Sequence, residues 1–181
     1  MQQTPVIATY LGGDLIEEMR RAERLIEVGK LAAGYIQNLP GGVEMVFGPI
    51  TRGGIIRTNP VTGNLGPSFR ENLKALERAI VARQKEGRLI FNQLLFKALI
   101  DKHRRIWLSK HQRVSSMWHE PLKNEFYGPI LDTGKVEVGH FILDWKSGKS
   151  AKFAHRVLST QGKPCLEYPD GLKLKEERKA A

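Results

Sequence analysis

The sequence contains one cysteine and no hydrophobic run long enough to cross a membrane. A single thiol, that of Cys165, excludes an intrachain disulfide and a cysteine-based zinc site. A membrane-spanning helix needs about 20 consecutive apolar residues, and no run approaches that length. The first residues also lack the basic-then-apolar order of a signal peptide. These absences predict a cytoplasmic protein whose thiol is reduced.

Acidic residues are scarce relative to basic ones. The 181 residues include 19 Asp and Glu against 29 Lys and Arg, which gives a formal charge of +10. Such an excess raises the local concentration of anions and makes polyanions or phosphorylated small molecules plausible partners. The 41% hydrophobic content predicts a compact domain with a sizeable core.

Apolar residues alternate along the chain between the spacing typical of strands and that typical of helices. Strands are predicted at 6–11, 43–50, 88–91, 136–144 and 164–168, and helices at 14–36, 68–87, 94–109, 127–134 and 151–161. Because parallel neighbours need crossover helices, this alternation predicts a three-layer α/β domain with a mainly parallel sheet. Ligands of such domains bind beyond the carboxyl ends of the strands, here the loops at 48–54, 92–93 and 144–150.

Several short motifs occur at these loops in a characteristic order. They are Gly48-Pro49-Ile50-Thr51 after a strand, Phe69 opening a helix, Phe91-Asn92 after the next strand, and Trp145, Ser147, Gly148 and Ala151 before a helix that leads to Gly162-Lys163-Pro164. Over residues 43–168 this order resembles the nucleoside 2-deoxyribosyltransferase-like proteins. The resemblance implies a Rossmann-like, flavodoxin-like domain that forms homo-oligomers. It also implies cleavage or exchange of the N-glycosidic bond of nucleosides or their monophosphates.

The resemblance further implies a nucleophilic glutamate at the start of the helix after the small-residue turn. The matching position holds Lys152 or Ala154, neither of which can form a glycosyl ester. The substitute carboxylates are Asp132, Glu137 and Asp144. Of these, Glu137 and above all Asp144 are the candidate catalytic residues, and Asp144 is equally expected to cap the turn at Trp145. Hydrolysis of ordinary nucleosides is therefore expected to be absent or weak.

The predicted ligand-binding residues share a place at the carboxyl ends of the predicted strands. They are Gly48, Pro49, Thr51, Arg52, Gly53, Asn92, Trp145, Ser147 and Gly148. Arg52 and the Gly53-Gly54 backbone either donate to a phosphate or form a flexible turn, and Lys149 and Ser150 face them from the opposite loop. No cofactor is expected. The five histidines lack the spacing of metal ligands, and His140 in a strand is expected to be a hydrogen-bonded core residue.

A second basic feature lies between Lys102 and Trp118, where no acidic residue occurs. Its cations are Lys102, Arg104, Arg105, Lys110 and Arg113, and two tryptophans, Trp107 and Trp118, are interleaved with them. This pattern is typical of phosphate contacts combined with base stacking, and predicts nucleic-acid binding by a non-enzymatic accessory or assembly protein as the alternative function. The other interpretation is a solvated helix face with tryptophans packed in the core or at a subunit interface.

The chain divides into three segments at the sequence level. Residues 43–170 form the predicted α/β domain, of which residues 43–168 carry the resemblance. Residues 1–42 form a β-α extension of that domain or an oligomerisation arm. The basic residues of 171–181 are expected to be a solvated tail.

Overall fold

The computed structural model describes residues 13–50, 69–111 and 117–168. The strand predicted at 6–11, the glycine loop that includes Thr51, Arg52 and Gly53, and the predicted tail lie outside these residues, as does Arg113. The helices are α1 (Gly13–Arg21), α2 (Leu25–Gln37), α3 (Phe69–Lys85), α4 (Lys97–Lys110), α5 (His119–Pro121), α6 (Gly128–Asp132) and α7 (Lys149–Thr160). The strands are β1 (Val43–Phe47), β2 (Val136–Phe141) and β3 (Cys165–Glu167). None of the described helices is long and apolar enough to span a bilayer.

The described residues separate into two compact units. Residues 13–42 and the described parts of 93–136 make up a helical unit. The described parts of 43–92 and 137–168 make up an α/β unit that contains the sheet.

The α/β unit is built on a parallel sheet with strand order β1-β2-β3. In the register between β2 and β3, Gly139 pairs with Cys165 and Phe141 pairs with Glu167. A further parallel bridge joins Glu44 of β1 to Ile90, on the side of β1 opposite to β2. The predicted α/β class with a mainly parallel sheet is confirmed.

Helices cover both faces of this sheet. On one face Phe47 and Phe141 stack with ring centroids 5.2 Å apart, and α7 covers Phe141 through His155, whose ring centroid lies 4.8 Å away. On the other face lies His140, which shares the hydroxyl of Tyr168 with Arg83 of α3. The unit therefore has three layers, helix, sheet and helix, as the alternation of strands and helices predicts.

The strands are shorter than the apolar runs that predict them. The first ends at Phe47 instead of residue 50, because Pro49 has no N–H to donate to a neighbouring strand. The second, β2, ends at Phe141 instead of residue 144, because Trp145 N donates to Ile142 O at 3.1 Å and turns the chain. The strand predicted at 88–91 is reduced to the bridge at Ile90, which is held by Glu44 N to Leu89 O (2.8 Å) and Phe91 N to Glu44 O (2.9 Å).

In the helical unit, the prediction of a single helix at 14–36 is wrong, because the chain forms two helices, α1 and α2, with a break between them. The break is stabilised by Glu27, whose Oε2 accepts from the backbone N–H groups of Glu23 (2.9 Å) and Arg24 (3.2 Å). Because the Glu27 carboxylate accepts from backbone N–H groups at the start of α2, a new helix begins there. The apolar stripe itself continues through the break.

The centre of the helical unit is α2, which packs against α6 and against a π-helical segment at Leu122–Tyr127. Gly29 of α2 contacts the backbone of this segment so closely that a Cβ at position 29 would overlap Glu125 O and lie 3.1 Å from Phe126 Cα. Glycine is therefore required at position 29 by the approach of the two backbones.

Candidate functional site

The direction in which successive strands are added to the sheet of the α/β unit reverses between β1 and β2. From β1 the chain passes through α3 to the Ile90 bridge on one side, whereas β2 leads through α7 to β3 on the other side. The reversal therefore lies between β1 and β2. In open parallel sheets such a reversal opens a crevice beyond the carboxyl ends of the two strands, and ligands bind there.

Two chain segments meet at this carboxyl edge. Ile142 N donates to Phe47 O at 2.9 Å, which continues the pairing of the two strands by one residue. A Cβ at Gly148 would lie 3.3 Å from Pro49 Cα and 3.4 Å from Gly48 O. Small residues thus let the backbones after β1 and before α7 approach each other, and the structure brings together four predicted ligand-binding residues: Gly48, Pro49, Trp145 and Gly148.

The turn between β2 and α7 depends on Asp144, whose φ of 58° lies in the left-handed region. Its carbonyl accepts from Ser147 N at 2.9 Å, and Gly148 N donates to Trp145 O at 3.0 Å. The side chain of Asp144 is exposed and makes no capping hydrogen bond. Asp144 therefore shapes the turn with its backbone and leaves its carboxylate in solvent at the carboxyl edge.

Trp145 anchors this turn to the sheet. Its indole is buried, with 8% of the residue exposed, and stacks on His155 with centroids 4.5 Å apart at an interplanar angle of 11°. Its Nε1 donates to Glu167 Oε2 at 3.3 Å, and Lys146 Nζ lies 5.3 Å from the ring centroid. The ring is thus engaged with neighbours, so Trp145 holds the turn in place.

Glu167, whose carboxylate accepts from the Trp145 indole, is not among the site residues predicted from the sequence. Its Oε1 lies 3.4 Å from His155 Nε2, and its Oε2 lies 3.5 Å from Lys146 Nζ. Desolvation raises the pKa of Glu167, but the Trp145 hydrogen bond and the charge of Lys146 outweigh it and hold the pKa below its ordinary value of 4.5. The predicted strand at 164–168 contained the signal, since Glu167 falls near the carboxyl end of that strand.

The other predicted site residues are more scattered. Glu137 is exposed near the amino end of β2, about 13 Å along the strand from Phe141, so the structure does not bring it to the carboxyl edge. Asn92 follows the Ile90 bridge and is half-buried, as is Ser147. Asp132 is exposed at the end of α6 in the helical unit.

The two positions expected to hold a nucleophilic glutamate lie on α7. Lys152 is exposed and Ala154 is fully buried. Within the described ranges no group of three or more His, Cys, Asp or Glu side chains is arranged to hold a metal ion.

The predicted nucleic-acid residues that the structure describes lie on α4. Arg105 and Lys110 are exposed, whereas Lys102 and Arg104 are half-buried. Lys102 Nζ lies 3.4 Å from the carbonyl oxygens of both Arg20 and Ala22, so its charge is directed towards the backbone at the end of α1.

Comparisons of the sequence and structure with protein-family models, curated proteins and solved structures gave no match. The parallel α/β sheet is the part of the resemblance to the deoxyribosyltransferase-like proteins that the structure supports.

Proposed function

We propose that the protein binds a nucleoside or nucleoside monophosphate in the crevice beyond the carboxyl ends of β1 and β2. The observation that carries this proposal is the reversal of strand order between these two strands. The close approach of Gly148 to Gly48 and Pro49 supports it, because it brings the loops that follow β1 and β2 together at the edge where ligands of such sheets bind.

The charges at this edge favour an anionic ligand. The first turn of α7 carries Lys149 and Lys152 and no acidic residue. In the preceding turn Lys146 is paired with Glu167, which leaves Asp144 as the one exposed carboxylate of that turn. Because α7 has no side-chain cap at Gly148, its first N–H groups complement a negative charge. A phosphate on the ligand is therefore expected to add affinity.

The proposal is one of binding, with catalysis absent or weak. The resemblance requires a glutamate on α7, where the chain has Lys152 and the buried Ala154. The carboxylates nearest the β2–α7 turn are Asp144, which is exposed, and Glu167, which is held by Trp145 and Lys146.

Calorimetric titration with a nucleoside and its monophosphate tests the proposal. The informative variant is Lys149→Gln at the start of α7, and the matched control is Lys163→Gln, which makes the same charge change beyond the end of that helix. Loss of one charge-assisted contact, worth about 1.5 to 3 kcal/mol, should weaken monophosphate binding by roughly 10 to 150 fold. Binding of the nucleoside should change little.

The control variant should bind both ligands as the unchanged protein does. If both substitutions weakened monophosphate binding equally, only the net charge of the protein would matter. The phosphate would then not bind at the start of α7. Absence of binding by every common nucleoside and monophosphate would overturn the proposal.

A further inference from the structure

The end of α4 carries an exposed aromatic stack in the helical unit. His111 is exposed, and its ring lies on that of Trp107 with centroids 4.2 Å apart at an interplanar angle of 13°. Trp107 is in turn tilted against the buried Trp118, with centroids 5.9 Å apart. The three rings form a continuous series from the interior to the surface, and His111 is its exposed end.

Backbone contacts hold the imidazole in this orientation. Trp107 O accepts from the backbone N–H of His111 at 3.1 Å and lies 2.9 Å from His111 Nδ1, which donates to it. The ring is therefore fixed parallel to the indole beneath it. A ring held in this way loses little conformational entropy when another flat ring stacks on it.

Positive charges lie on the same helix as this stack. From Lys102 to His111 the sequence has four lysines and arginines and no acidic residue. Arg104 lies seven residues before His111, and Lys110 three residues after Trp107, so both are on the flanks of the stack. The only acidic residue of α4, Asp101, is neutralised by Lys97 Nζ at 2.7 Å from its Oδ2. The last two turns of α4, which lead to His111, therefore carry positive charges and no negative one.

We propose that the end of α4 is a binding site for single-stranded nucleic acid, in which one base stacks on His111 and flanking phosphates contact Lys110 and Arg104. Stacking on an aromatic platform beside a cationic surface is how sequence-tolerant single-strand binding is achieved. A duplex keeps its bases stacked on one another and offers no free face to His111. An anionic membrane would meet the cations but would leave the fixed flat ring without a function.

The experiment measures binding of a fluorescein-labelled oligothymidylate of about 12 nucleotides, and of an abasic oligonucleotide of equal length, by fluorescence anisotropy at several salt concentrations. His111→Ala should weaken binding of the oligothymidylate by about fivefold or more and leave the abasic strand unchanged. His111→Tyr should retain the affinity, because the phenol ring preserves stacking. Lys110→Gln should weaken both strands and reduce the salt slope by about 0.7.

Lys85→Gln is the matched control, since Lys85 is an exposed lysine at the end of α3 in the α/β unit. It should leave both affinities within about twofold if the contact is local. Three results would overturn the proposal: no binding at low salt, equal weakening of both strands by His111→Ala, or equal effects of Lys110→Gln and Lys85→Gln. Lys110-dependent binding to phosphatidylglycerol vesicles without binding to the oligonucleotide would assign the surface to a membrane and would also overturn it.

Discussion

The Glu44 carboxylate and the His140 imidazole lie 2.7 Å apart, Oε2 to Nε2, although 96 residues separate them in the chain. They lie on β1 and β2 and share one face of the sheet. His140 is 2% exposed, so this pair joins the two central strands inside the core of the α/β unit.

The partners of His140 define its proton positions. Tyr168 OH accepts from Arg83 at 3.0 Å and lies 3.2 Å from His140 Nδ1. The phenol hydrogen therefore goes to Nδ1, and the imidazole hydrogen on Nε2 goes to Glu44. The expectation that His140 is a hydrogen-bonded core histidine is confirmed.

We expect stability to fall as the pH is lowered from about 7 to about 5. Burial lowers the pKa of His140 below its ordinary value of 6.5, Glu44 opposes this, and Arg83 and Arg88 add to it. The unfolded chain therefore binds a proton at a pH where the folded chain does not. The contribution of His140 to the free energy of unfolding is complete above pH 6.5. It declines as the pH falls towards the lower pKa that His140 has in the folded chain. Urea unfolding over this range measures it.

His103 adds to the same dependence, since burial and then the charge of Lys102 lower its pKa. His140→Gln and His103→Gln should each reduce the slope of stability against pH. Asn124→Gln, which changes an exposed side chain that does not titrate, is the control and should leave the slope unaltered. An unaltered slope in both core variants would contradict the assignment.

Glu44→Ala should destabilise the protein. The substitution removes the acceptor of His140 Nε2–H in a buried position, and losing a hydrogen bond to a charged group costs about 1.5 to 3 kcal/mol. The ion pair with Arg88, which is 3.6 Å long with the arginine side chain 59% exposed, contributes little of this. Glu137→Ala on the same sheet is the control, because Glu137 is exposed. Chemical denaturation of the two variants should show a clear loss only for Glu44→Ala.

Two glycines of α2 should respond to alanine in opposite directions. A Cβ at Gly29 would overlap Glu125 O, so Gly29→Ala should cost about 1 to 3 kcal/mol or more. Gly34 has no atom within 4 Å of its Cβ position, so Gly34→Ala should stabilise the helix by about 0.5 to 1 kcal/mol. Thermal unfolding of both variants gives the comparison, and a stabilising Gly29→Ala would show that the two backbones can separate.

The sequence predicts the parts of the fold that depend on local pattern. The apolar run that begins at Val43 and the helix ended by Gly162, whose φ is +69°, are both present, because burial and turn chemistry are decided within a few residues. The run does not reveal where β1 ends, because Pro49 is as apolar as the residues before it.

Contacts between residues that are far apart in the sequence could not be predicted from local pattern. The pairing of Glu44 with His140 requires the strand order, and the position of Glu167 beside Trp145 requires the register between β2 and β3. The break before α2 arises because the Glu27 carboxylate competes for backbone donors while the apolar stripe continues.

Substitutions of Asp144 should separate its backbone role from a chemical one. Asp144 has a φ of 58°, and among residues other than glycine, Asn and Asp adopt this left-handed conformation most readily. Asp144→Gly should therefore be neutral or stabilising, and Asp144→Val should cost about 1 to 2 kcal/mol. Thermal unfolding of the two variants checks this, and a strongly destabilising Asp144→Gly would show that the carboxylate itself holds the turn.

Glycosidic cleavage should be absent. Incubation with 2′-deoxynucleosides should release no free base above the uncatalysed rate, because the α7 positions that the resemblance assigns to the nucleophile hold the exposed Lys152 and the fully buried Ala154. Chromatography of the reaction mixture measures the release. Should base appear, Asp144→Ala and Glu167→Gln would identify the carboxylate, with Glu137→Ala as the control that lies near the amino end of β2. Release that survives all three substitutions would contradict the assignment of this edge as the place where a nucleoside binds, since no carboxylate described near the β2–α7 turn would then take part.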